Sequence, residues 1–409
     1  MSPYLKSSHQ RTGNKLTDLK ASRNGWTQLD EAQYNANPMR EWLHSWRPAI
    51  VNFLKYLFGA AIIFAIGRRF AMDLSGHTEL FSLPFRPGWL VVSGVLYLLG
   101  LGFSAFYWHR LLYRLGERPS KVGTVRAYYA SQLGKYLPGK AWALFLRAAF
   151  ARATGVRTGV AVASSFYEVL TTMSAGALLA SVFFVWAAVT VPPGTAGIDC
   201  RPLAQLVTGR ATAETLLNPA APAILALVLL VLVGIPVLPP IINRIVFRVA
   251  KPFRRGDSPP LPRFDVTALV EGLVLTCGSW FLLSASLRAT LCGVLMEPPT
   301  WSWSSWWHST ASVGLAYVAG FVILVVPGGL GVRELLLSPF VVSEIARAPG
   351  VDEDKARALA VLAVIVLRMI WTAAEVVMAG IVYCLPVSGR DSSTADVRAP
   401  LIQGEGAPE

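Results

Sequence analysis

Two segments broken by glycine and proline carry cations inside otherwise apolar sequence. The first runs Tyr128-Tyr129-Ala130-Ser131-Gln132-Leu133-Gly134-Lys135-Tyr136-Leu137-Pro138-Gly139-Lys140, then the apolar Ala141–Leu146 and Arg147. Pro138-Gly139 cannot continue a regular helix, because proline removes a donor and glycine costs backbone entropy. A chain that stops there and restarts as a helix exposes unpaired N–H groups near Gly139, and such a start attracts anions. Lys135 and Lys140 flank it. An ordinary cytoplasmic loop whose lysines meet lipid head groups fits the same spacing. The second segment is Val326-Pro327-Gly328-Gly329-Leu330-Gly331-Val332-Arg333-Glu334. Pro327, Gly328, Gly329 and Gly331 interrupt an apolar run, and an Arg-Glu pair follows at once. A charge at membrane depth costs at least about 2.5 kcal/mol on insertion scales, so it is usually paired and turned inward. Lys135, Lys140, Arg147 and Arg333 are therefore the candidate phosphate-binding residues.

A third feature is isolated charge. Ser164, Glu168 and Thr171 recur at i, i+4 and i+7, so they share one helix face. In a membrane such a polar stripe faces the bundle or an aqueous path. Arg368 lies deep inside the last apolar run. Glu168, Glu334 and Arg368 are the candidate intramembrane charges, and Glu168 and Arg368 are candidate partners. Glu271 and Lys55 sit nearer span ends, where side chains can snorkel to water.

Other chemistries find no support in the pattern. No paired carboxylates or Ser/His/Asp set is visible, so no catalytic residue is assigned. The Gly-Leu-Gly near 330 is not a nucleotide loop, because no Lys-Ser/Thr pair follows. Cys200, Cys277, Cys292 and Cys384 show no CxxC spacing, and the five histidines do not cluster. No disulfide framework, metal or cofactor is expected.

The elements that must position these residues are membrane helices. The 409 residues are 54% hydrophobic and 15% charged, against about 25% charged for soluble domains. Apolar runs of about 20 residues, long enough to cross, occur at 48–67, 89–108, 159–189, 220–242, 266–292, 308–326 and 357–385. The stretches 125–150 and 327–346 read as broken or re-entrant. The expectation is an all-α polytopic integral membrane helical bundle of about 7–8 spans plus one or two broken segments. Residues 1–47 form a polar cytoplasmic tail, 48–385 the transmembrane domain and 386–409 a flexible C-terminal tail. The first apolar run begins near Pro48, so no signal peptide is expected.

The formal charge of +13 lies between the apolar runs, which points to membrane lipids as partners and away from nucleic acid. Segment 109–158 holds ten Lys/Arg and one Glu, and 243–264 holds six Lys/Arg and one Asp. The positive-inside rule puts both, and the N-terminus, on the cytoplasmic side of the cell membrane. Trp301, Trp303, Trp306 and Trp307 precede the 308–326 run as an aromatic belt at the outer interface.

Together, SQLGKYLPGK (131–140) before a basic helix and PGGLGVRE (327–334) before an apolar stretch resemble the signatures of a flippase-like family. That family is related to the transmembrane region of lysylphosphatidylglycerol synthases. The resemblance spans 48–385. The family carries an acidic-basic pair in the span after the first motif. Here Glu168 is followed by Val169, so that basic partner is missing, while Arg368 matches the single Arg of the last span. The resemblance implies translocation of an anionic phospholipid or polyprenyl-phosphate-linked lipid between leaflets. In the synthases a separate soluble domain makes the aminoacylated lipid. Only about 25 residues follow the last apolar run here, so that activity is not expected. Two alternatives stand beside the transporter: a membrane scaffold for a separate lipid-modifying or glycosyl transferase, and a membrane-interface transferase.

Overall fold

The computed structural model describes residues 85–136, 142–190, 219–250, 262–296, 301–323, 331–346 and 351–384. The expected tails, the 48–67 run, Pro138, Gly139, Lys140, Pro327, Gly328 and Gly329 lie outside them. The described residues fall in one compact unit, Ile62–Glu409. They form ten α-helices with no strand among them. In chain order these are α1 (Pro87–Arg114), α2 (Lys121–Gln132), α3 (Trp142–Arg152), α4 (Thr158–Thr190), α5 (Ala220–Val237), α6 (Pro239–Ala250), α7 (Val266–Val294), α8 (Trp303–Val322), α9 (Val332–Ile345) and α10 (Glu353–Cys384). A 3₁₀ turn, Leu133–Tyr136, ends α2.

Five of these helices are long and apolar enough to cross a membrane: α1, α4, α5, α7 and α10. The expected 220–242 span is shorter than its apolar run. The helix breaks at Leu238, in extended conformation, and Pro239 starts α6. Proline at a helix start loses only a donor that has no partner there anyway. The expected 308–326 span starts earlier, at Trp303, with Ser302 and Ser305 exchanging side-chain-to-backbone bonds as a capping box. Trp303, Trp306 and Trp307 therefore sit on α8 itself, not before it. With Ser304, Ser305, His308 and Ser309 in its first two turns, α8 is not among the five crossing helices.

Helices α1 and α7 pack antiparallel along their length. Ser93 bonds Ser286 and Thr290 at one end, Ser279 donates to the Gly100 carbonyl in the middle, and Arg110 and Arg114 hold Glu271 at the other. Glu271 is thus tied across two helices rather than left to snorkel. The α1–α7 pair gives the bundle two recognisable ends.

Two helical hairpins enter between the crossing helices from opposite ends. In the first, α2 and α3 run antiparallel. Gly123 lies against Thr154 at the base, Ser131 meets Arg147 nearer the tip, and Gly134 touches the Ala143 backbone at the tip itself. Its base joins the C-terminal end of α1, through His109 to Thr124 and Glu117 to Arg157. In the second, α8 and α9 run antiparallel. Ser309 meets Glu344 at the base and Gly320 meets Arg333 at the tip. Eleven residues separate each pair, about 16 Å on either helix, so the two helices keep register. The base of this hairpin joins the C-terminal end of α7, where Arg288 pairs with Glu344. At 12, 11 and 14 residues, α2, α3 and α9 rise about 16–21 Å, short of the ~30 Å of hydrocarbon. The broken character expected for 125–150 and 327–346 thus takes the form of two inverted hairpins.

Close helix approach depends on glycine, as is common where lipid supplies no hydrophobic drive for association. A Cβ on Gly176 of α4 would lie 2.6 Å from the Trp280 ring of α7, and one on Gly314 of α8 would lie 2.8 Å from the Gly176 carbonyl oxygen. Gly176 is therefore the contact point of three helices. Gly176→Val should lower stability by about 1–3 kcal/mol through overpacking, read as a drop in the thermal midpoint in detergent. Gly380→Ala, where nothing lies within 4 Å, should leave it unchanged or raise it slightly.

Candidate functional site

The tips of the two hairpins meet beside the middle of α10. Arg368 is the sixteenth of the 32 residues of α10, about 22 Å along the helix from its start. The sequence Arg368, Thr372, Glu375 repeats the i, i+4, i+7 spacing noted around Glu168, so all three project toward one side.

The first tip supplies Lys135 and Tyr136. Lys135 forms an ion pair with Glu375, whose side chain is fully buried, and lies 3.3 Å from the Tyr97 hydroxyl of α1. The Tyr97 hydroxyl also donates to Glu375. Tyr136 donates to Glu375 at 2.9 Å, and its hydroxyl lies 3.0 Å from that of Thr372. One carboxylate on α10 thus gathers three side chains from two other elements, which pins the α2–α3 tip to α1 and α10. Lys135, expected to bind phosphate, is already neutralised here. Glu375 escaped the sequence reading, although its isolation inside the last apolar run was the available signal.

The second tip supplies Arg333 and Glu334. Gly331, at φ +80°, is the residue before the first turn of α9. Only glycine takes that conformation without strain. Its N–H bonds the Glu334 carboxylate at 2.6 Å. The anion-attracting helix start expected here is therefore partly filled by the chain's own acid. Arg333 crosses to α8, where its side chain packs on Gly320, and its guanidinium stacks 3.4 Å from the centre of the Tyr317 ring. Any side chain at Gly320 would meet the Arg333 Cγ at 2.4 Å. Arg368 approaches Glu334 at 3.7 Å, a distance that is an ion pair without a hydrogen bond, and lies over the Tyr136 ring at 5.6 Å.

Between these groups is a cavity of about 30 Å³ lined by Tyr317, Arg333, Glu334, Arg368 and Trp371 among others. That is room for one or two waters. Trp371 stacks on Tyr97 at 4.6 Å and donates to Ser286 of α7 at 2.8 Å, which fixes the aromatic wall. Arg333 Nε and Nη1, and Arg368 Nε and Nη2, are buried without a hydrogen-bond partner among the described residues. Four buried cationic donors left open around one cavity are a strong demand for acceptors.

Glu168 and Arg147 have a different role from the one expected. They pair with each other at 2.6 Å, both almost wholly buried. Glu168 therefore has a basic partner after all, on α3 rather than beside it in sequence, and it is not the partner of Arg368. Arg147 is not a phosphate ligand in this arrangement. Its Nε donates to Ser131, and its guanidinium lies 4.1 Å from the centre of the Tyr128 ring. Tyr128 and Thr172 donate to the second oxygen of Glu168 at 3.1 and 3.2 Å. This closed network fastens the α2–α3 hairpin to α4. Ser164 and Thr171 face the bundle, bonded to Trp108 and Tyr107 of α1. A third buried pair, Arg288 with Glu344, also went unread in the sequence.

Breaking one member of a closed buried pair leaves the other uncompensated. Glu168→Gln should destabilise the protein by about 3–5 kcal/mol. The double variant Arg147→Met, Glu168→Leu should recover most of that loss, because neither charge remains. Thermal unfolding of both in detergent checks this. Equal losses in the two variants would show that packing, not charge, holds the hairpin.

No curated protein matches the chain. The sequence model for the lysylphosphatidylglycerol synthase transmembrane region matches residues 52–374. That range takes in both hairpins, every residue of the cavity named above and all but the last turns of α10. The protein is thus a multi-pass membrane protein of a lipid-handling kind, and it belongs to the family defined by the lysylphosphatidylglycerol synthase transmembrane region.

Proposed function

We propose that the protein carries an anionic lipid head group between leaflets through the cavity where the hairpin tips meet. The observation that supports this most is the set of four open guanidinium donors on Arg333 and Arg368. A phosphate presents acceptors in the geometry that guanidinium forks match best. Broken helices meeting at mid-depth are also how many transporters build sites for anionic substrates. The cavity's small size means a head group enters only after one tip withdraws. Lys135, Tyr97 and Tyr136 on Glu375 would hold the first tip closed, and Glu334 on Arg368 the second.

In this reading the end of the bundle carrying Arg110, Arg114, Lys121 and Arg126 faces the cytoplasm of the cell membrane. Tyr383, in the last turn of α10, lies against Arg126, so the C-terminal end of α10 faces the same way. Partners would be anionic membrane lipids, and a separate lipid-modifying enzyme could supply or consume them.

Two measurements test this. In vesicles reconstituted with labelled phospholipid, Arg333→Gln and Arg368→Gln should each slow translocation about tenfold or more, a loss of roughly 1.4 kcal/mol. Wild-type rates in both variants would remove the site. In a Cys200→Ser background, an impermeant maleimide should reach the exposed Cys384 from the cytoplasmic side only. Labelling from outside would reverse the orientation.

A further inference from the structure

The cavity holds an internal competitor for its own ligand, and we infer that Glu334 makes the site selective for singly charged phosphodiester head groups over doubly charged phosphomonoesters. The inference rests on the lipid-binding reading above and concerns what sets its selectivity. Among the described residues, the charged groups lining the cavity are Arg333, Arg368 and Glu334. The neighbouring Lys135 and Glu375 cancel each other in a direct pair. The lining therefore carries one net positive charge, with Glu334 answering part of Arg368 at 3.7 Å and Arg333 stacked on Tyr317 but with no acceptor among the described residues for its Nε and Nη1. In a buried site an uncompensated charge of either sign is expensive. One negative charge brings the balance to zero, and a second overshoots it, close to a carboxylate that cannot move far.

Glu334 is held in place by its own helix. Its Oε2 accepts the Gly331 N–H at 2.6 Å, while Oε1 faces Arg368. The carboxylate is thus both a cap and a fixed negative charge at the rim of the donors. These two roles can be separated. Glutamine keeps a carbonyl that caps the same N–H and removes only the charge. The net charge of the lining then becomes +2, which suits a dianion.

The test compares phosphatidylglycerol, a monoanionic diester, with phosphatidic acid at a pH where it is largely dianionic. Competition of the two lipids for the purified full-length protein, read by native mass spectrometry, gives a preference ratio that does not depend on the folded fraction. Wild type should favour phosphatidylglycerol. Glu334→Gln should shift the ratio toward phosphatidic acid by at least about tenfold, the scale expected for one charge a few ångströms away at an effective dielectric near 20. Arg333→Gln should weaken both lipids. A ratio unmoved by Glu334→Gln, with both lipids still dependent on Arg333, would overturn the selectivity role and leave the site standing. Binding of both lipids indifferent to Arg333→Gln would overturn the site itself, and the selectivity role with it.

Discussion

A buried guanidinium must be answered by an anion, and the middle of this protein is arranged around two that are only partly answered. Arg333 and Arg368 stand on different helices, α9 and α10, and reach the same small cavity. Keeping them there requires every neighbouring charge to be spoken for. Glu375 is saturated by Lys135, Tyr97 and Tyr136, and Glu168 by Arg147, Tyr128 and Thr172. Were Glu375 open, Arg368 on the same face of α10 would have a carboxylate to turn to.

The closed pairs do mechanical service for the open ones. Short hairpin helices cannot hold themselves in hydrocarbon, since their ends leave backbone groups unpaired that no water can reach. Each hairpin is therefore anchored along its length: α2–α3 by Arg147–Glu168 on its flank and Lys135–Glu375 at its tip, α8–α9 by Arg288–Glu344 at its base. Aromatic rings supply the remaining support. Tyr317 lies under Arg333 and Tyr128 under Arg147, contacts in which ring faces stabilise cations where solvent is absent.

Much of this was legible in the residues, but unevenly. Apolar runs give the crossing helices because length and hydropathy are local properties. The shifted ends at 220–242 and 308–326 came from local signals outweighed by continuous hydropathy: Pro239-Pro240 and the Ser302 cap. The two broken segments were recognisable by composition, since proline and glycine in hydrocarbon need a reason. What could not be read was which charge met which. Arg147 and Arg333 look alike in sequence, each a cation just beyond a Pro-Gly element. Only the fold shows that one is consumed by Glu168, while the other has guanidinium nitrogens with no hydrogen-bond partner among the described residues. Glu375 and Arg288 carried the same signal as Glu168, an ionisable group alone in an apolar run. Pairing across the bundle is a non-local fact that no window of sequence contains.

The spacing of those pairs along the chain has a consequence for biosynthesis. Arg147 waits only 21 residues for Glu168, so the flank of the first hairpin can be locked almost as soon as both have left the ribosome. Lys135 waits 240 residues for Glu375. Through most of translation the tip of that hairpin bears a cation with no carboxylate to receive it, and the bilayer offers it no comfortable place. The tip of the α2–α3 hairpin therefore has its charge partner only once α10 has been made. Helix α10 supplies both the late charge partner of that tip and a wall of the cavity.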